Sequence, residues 1–140
     1  MSALEQIESI ESEVEGKEAQ VEESEQELEQ VNNRLSQIEQ AIGDLSEDQE
    51  VVASIESNKE NAEQEKSEIE QKRSDLRSEL EEMQGNLEEA SAENENSANV
   101  LSSLSSIGED VSEAMGIVEE RRNQIQSTMG KLQELLGRLG

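Results

Sequence analysis

Residues 43–49 read GDLSEDQ, and they separate two long stretches whose apolar residues recur at a heptad spacing. Upstream, Ile7, Val14, Val21, Leu28, Leu35 and Ile42 form one row. Ala3, Ile10, Lys17, Ser24, Val31, Ile38 and Leu45 form a second row, three residues further on. Two such rows are the a and d positions of a helix that buries a narrow seam against another helix. Downstream a new register opens. Its a row is Val52, Lys59, Lys66, Arg73, Leu80 and Leu87, and its d row is Ile55, Ala62, Ile69, Leu76, Met83 and Ala90. Between the two registers, Ser46 and Gln49 have capping-box spacing, with Gly43 just upstream. The stretch therefore predicts a tight turn between helices over about 3–45 and 47–92, each roughly 63 Å long at 1.5 Å per residue.

Folding these helices antiparallel about the turn gives an alignment that can be checked layer by layer. Ile42 meets Ile55, Leu35 meets Ala62, Leu28 meets Ile69, Val21 meets Leu76 and Val14 meets Met83. The alternate layers hold the polar residues: Ile38 with Lys59, Val31 with Lys66, Ser24 with Arg73, Lys17 with Leu80. No layer sets two cations together. Each cation is expected to lay its aliphatic stem along the seam and send its charge outward, towards glutamates such as Glu23, Glu25 and Glu27. Polar a positions of this kind lower stability but specify alignment and strand number.

Composition supports helices with narrow seams. The 140 residues include 36 Asp+Glu against 11 Lys+Arg, a formal net charge of −25. Phe, Tyr, Trp, Pro, Cys and His are all absent, and hydrophobic residues make up 31%. A core of ordinary globular density draws much of its buried area from aromatics. Of the acids only Asp44, Asp48, Asp75 and Asp110 are aspartates, so the charge is carried by a good helix former. A charge of this sign and size opposes nucleic acid or an anionic membrane surface as partner. Zero cysteine removes disulfides and thiolate metal sites. No apolar run is long enough to span a membrane, and MSALEQIESIESEVEG lacks the pattern of a secretory leader. The expected compartment is the cytoplasm by default, with leaderless secretion left open.

The last third has a wider stripe. The register continues through Met115, Met129 and Leu136 at a, and Leu104, Val111, Val118, Ile125, Leu132 and Leu139 at d. Val100, Ile107, Ala114 and Leu135 add a neighbouring g row. That is the face of a bundle helix rather than a two-stranded seam. Residues 91–99, SAENENSAN, and residues 102–108, SSLSSIG, are both hinge candidates, the second with Ser106 and Glu109 at capping-box spacing. The predicted organisation is all-α: an antiparallel two-helix coiled-coil hairpin over residues 1–92, then a C-terminal amphipathic helix over 93–140. That last helix is either continuous with the second, hinged and projecting, or folded back to make a three-helix bundle. Gly116, Gly130 and Gly137 share one heptad position and suggest a close helix contact there.

Chemistry is not expected from this chain. Without His, Cys or Tyr the usual acid–base and nucleophilic constellations cannot be assembled, so no catalytic residue, cofactor or metal site is assigned. Asp44, Ser46, Asp48 and Glu50 alternate like half of a calcium loop, but Gln49 stands where glycine is needed and Ile55 where a bidentate glutamate is needed. A turn cap is the better reading. The hairpin resembles in size the small helical proteins exported by type VII secretion systems, although their Trp-x-Gly turn has no counterpart here. Prefoldin-like chaperones also have two long helices, but Leu45 to Val52 leaves no room for their linking β-hairpins. The expected role is that of a non-enzymatic structural or assembly protein acting through helix–helix contacts. Its partner-binding face would be the stripe from Leu104 to Leu139, with a homo-oligomer as the expected state. The alternative is an accessory or chaperone-like helical partner of an exported protein.

Overall fold

The computed structural model describes residues 2–140 and contains three helices, α1 (Ala3–Asp44), α2 (Gln49–Ser106) and α3 (Ser112–Arg138). Among the described residues there is no strand. α1 opens on a serine cap: the Glu5 N–H donates to Ser2 Oγ at 3.1 Å. The turn after α1 falls at residues 45–48, where the sequence places it, but the cap differs. The Val51 N–H donates to Asp48 Oδ1 at 3.3 Å, so Asp48, not Ser46, caps α2. A carboxylate also complements the positive end of the helix dipole, which a serine hydroxyl does not. Thus the acid alternation that resembles a calcium loop is accounted for, at Asp48, by turn capping.

The chain forms two compact units, one of Ala19–Leu76 and the other of the segment up to Glu18 together with Arg77–Gly140. In the first, α1 and α2 run antiparallel. Val31, Leu35, Ala62 and Ile69 form a buried cluster, with Leu28 and Ile38 packed against it. These are the predicted partners Leu35 with Ala62 and Leu28 with Ile69. The polar layer is formed as well: Arg73 Nη1 donates to Ser24 Oγ at 2.9 Å, and the Ser24 hydroxyl donates to the Val21 carbonyl at 2.7 Å. Arg34 pairs with Glu65, and Lys59 lies 4.0 Å from Glu39. Such half-exposed pairs contribute about 0–1 kcal/mol each. Burial of the aliphatic row stabilises the hairpin more than these pairs do, and the ion pairs select the alignment.

In the second unit α3 folds back, which selects the three-helix alternative. Its residues Val118, Ile125, Thr128, Leu132 and Leu135 are buried, alongside Ile7 and Val14 of α1 and Leu80, Met83, Leu87 and Ala98 of α2. Burying four aliphatic side chains of α3 contributes on the order of 6–12 kcal/mol before conformational entropy is subtracted. Polar contacts fix the orientation. Asn94 Nδ2 donates to the Val118 carbonyl at 3.0 Å. Arg122 reaches Glu95 at 2.8 Å from α3 to α2, and Lys131 reaches Glu18 at 2.6 Å from α3 to α1. Lys17 of α1 pairs with Glu79 of α2.

Two hinge candidates resolve into one turn. α2 runs unbroken through residues 91–99, because Asn94 turns its amide to α3 instead of interrupting the helix. It stops at Ser106, where Gly108 takes φ +93. Gly108 N–H donates to the Ser105 carbonyl and Glu109 N–H to the Leu104 carbonyl, both at 3.2 Å. This pair of bonds is the Schellman end of a helix, and its left-handed residue favours glycine. Ser106 does not act as a cap for α3; its hydroxyl donates to the Ser103 carbonyl at 2.7 Å. Asp110 instead accepts the Ser112 N–H at 3.1 Å. That hydrogen bond holds the Asp110 carboxyl below its usual range. The expected close contact at Gly116, Gly130 and Gly137 is absent: a Cβ at any of them meets nothing within 4 Å.

Candidate interaction surface

The stripe expected to bind a partner is divided by the fold into covered and open parts. Val118, Ile125 and Leu132 are buried within the chain's own unit. Val111, Met115, Met129, Leu136 and Leu139 are half-buried, and Leu104 is exposed. Around Leu104 lie the g-row residues Val100 and Ile107, so that the α2 end presents Val100 at 54%, Leu104 at 37% and Ile107 at 73% exposure. These are one helical face, at i, i+4 and i+7.

Along the d row of α2, Met83 is buried, Ala90 and Ser97 are half-buried and Leu104 is exposed. Gln6, Ser9 and Ile10 of α1 line a groove with Asn86, Ala90 and Glu93 of α2. Val100 and Ile107 continue the row of Asn86 and Glu93, which is exposed as well. α3 covers a different flank of α2, in a groove with Glu88 and Ser91. Leu104 thus ends a row that is covered lower down in α2, while Val100 and Ile107 lie on a row that is exposed along the whole helix.

This flank is also uncharged. Residues 96–108, NSANVLSSLSSIG, carry no Asp, Glu, Lys or Arg, in a chain whose net charge is −25. Three of its five serines are bonded to the helix backbone: Ser97 donates to the Glu93 carbonyl, Ser103 to the Asn99 carbonyl and Ser106 to the Ser103 carbonyl. Those three hydroxyls can lose water without being stranded.

A further groove of about 630 Å³ lies between α1 and α3, lined by Glu11, Val14, Glu15, Glu18, Ser127, Thr128, Lys131 and Glu134. Its one cation is engaged: Glu18 and Glu134 neutralise Lys131 and raise its pKa above the usual lysine value, with the Glu18 hydrogen bond the main cause. Among the described residues no three His, Cys, Asp or Glu are grouped so as to hold a metal ion, and no helix is long and apolar enough to cross a membrane. Arg122 of α3 is held by Glu119 of its own helix and by Glu95 of α2; the bond between Arg122 and Glu95 is the main cause of the raised Arg122 pKa and of the lowered Glu95 pKa.

The architecture is all-helical, with three helices that pack against one another. Compared with protein-family models, curated proteins and solved structures, the chain matches none of them.

Proposed function

We propose that this chain is a non-enzymatic structural or assembly protein that works through coiled-coil-like helix contacts, with the open flank of α2 as its contact face. The observation that carries this reading is the coincidence of apolar exposure and zero charge at Val100, Leu104 and Ile107. Elsewhere the surface is rich in glutamate, which favours water over an apolar contact. Contiguous apolar side chains left open on an otherwise polar surface mark a docking site. The stretch from Met115 to Leu139 contributes by holding α3 against α2, and so by keeping that flank rigid, rather than by meeting the partner itself.

Site-specific photocrosslinking in the native cell tests the role. A photoreactive residue at Ile107 is expected to give a discrete adduct with a helical protein, identified by mass spectrometry. The same probe at Glu60, on the charged surface, gives none. Equal or absent adducts at the two positions would remove the basis for an assembly role. An adduct with a different, exported helical protein would favour the accessory-partner alternative.

A further inference from the structure

Building on the assembly role above, we propose that the partner seated on Val100, Leu104 and Ile107 is a second copy of this chain. The two copies meet about a twofold axis with their uncharged segments face to face. Charge is the first reason. Each copy carries −25, so nearly every face brings glutamate against glutamate and repels. Residues 96–108 are the one long stretch where two copies can approach without that penalty. A basic partner has the opposite preference: it gains on the glutamate-rich faces and gains nothing on this one.

Geometry is the second reason. Leu104 is exposed on the d row on which Met83 is buried, so this end of the row lacks a covering helix among the described residues. The same α2 flank of a second copy supplies it. A twofold contact uses one patch on both partners, so residue i meets j as j meets i, and it closes without forming a filament. Ser97, Ser103 and Ser106 have their hydroxyls turned to their own backbone, so these three lose no hydrogen bond on burial. The apolar side chains then supply the attraction and the absence of charge supplies the selectivity.

Sedimentation equilibrium on the purified full chain, over a wide concentration range and at several salt concentrations, tests this pairing. The expected result is a mass of twice the 15.5 kDa chain that falls to the monomer on dilution. Association should strengthen with added salt, because screening relieves repulsion between the two copies. Val100→Glu with Ile107→Glu should restore the monomer at every concentration with unchanged helicity, since both side chains are exposed in the monomer. Ile107→Ser alone, a milder change, should weaken the dimer about tenfold. Val51→Glu, at an exposed apolar residue near the other turn, should leave it intact. A wild-type chain that stays monomeric throughout overturns the second-copy assignment, while the cellular crosslink at Ile107 still decides the assembly role separately. A dimer indifferent to both Val100 and Ile107 changes overturns this flank as its seat.

Discussion

Leu132→Ala measures whether α3 is held by its own chain. Leu132 is wholly buried in the row that also contains Val118 and Ile125. The substitution removes three carbon atoms, about 2.4 kcal/mol at ~0.8 kcal/mol per methylene. It also leaves a cavity between α3 and the helices beneath it, which brings the expected loss to about 3 kcal/mol. If α3 instead projected free of its own hairpin, the same change would be neutral or slightly stabilising in a monomer, because alanine is the better helix former. The sign of the effect therefore separates the two arrangements. Urea unfolding followed by circular dichroism, at a protein concentration low enough to keep the chain monomeric, provides the number. Ile107→Ala, at a mostly exposed position, serves as the control and should stay within about 0.5 kcal/mol of wild type. A loss at Leu132 no larger than that control, or one that appears only at high concentration, would refute the intramolecular packing of α3.

Other positions test other parts of the fold. A double-mutant cycle on Ser24→Ala and Arg73→Ala should return a coupling of about 1 kcal/mol, the net value of a hydrogen bond to a half-buried cation; additive losses would mean that the Ser24–Arg73 layer is not formed in solution. Gly108→Ala should cost about 1–2 kcal/mol, because an L side chain is strained at positive φ, whereas Gly85→Ala, in the interior of α2 with open space around it, should stabilise by about 1 kcal/mol. Equal effects at the two glycines would contradict the Schellman end of α2. The folded-state pKa of Asp110 lies below its unfolded value, so the contribution of its bond to Ser112 is present above the unfolded pKa and is lost as pH falls through the folded one. The Ser112 amide, followed by NMR, should shift with a midpoint below the ordinary aspartate range, and a midpoint at or above that range counts against the bond.

The seam of the hairpin was legible because heptad rows and antiparallel geometry leave few alignments, and the Ser24–Arg73 bond falls on the predicted layer. Caps were less legible. Ser46 and Ser106 have the spacing of capping serines, yet Asp48 and Asp110 lie two and four residues further on and hold the N–H groups, a choice spacing does not encode. SAENENSAN has the composition of a hinge, and only the contact between Asn94 and the Val118 carbonyl explains why it remains helical. Thr128 is buried in the g row between Arg121 and Leu135, where polar residue types conceal a covered flank. Whether the Val118–Leu132 face would be covered by this chain or by another could not be read from the stripe, because the same stripe suits both. The turn at Gly108 decides it. Val100 and Ile107 stood in the sequence as g-row residues that widen the C-terminal stripe, and their place on a row exposed along the whole of α2 is seen only in the fold.

The Ser24–Arg73 layer has a mechanical consequence. A seam of aliphatic residues alone could creep by a heptad under load and bury a similar surface in its new position. Here a slip in one direction sets Lys17 against Arg73, cation on cation, and a slip in the other leaves Arg73 against Val31 without its hydroxyl. Sliding towards the Lys17–Arg73 alignment is thus opposed by repulsion, whereas sliding the other way costs only the Ser24 hydrogen bond, so the pair resists shear unequally in the two directions.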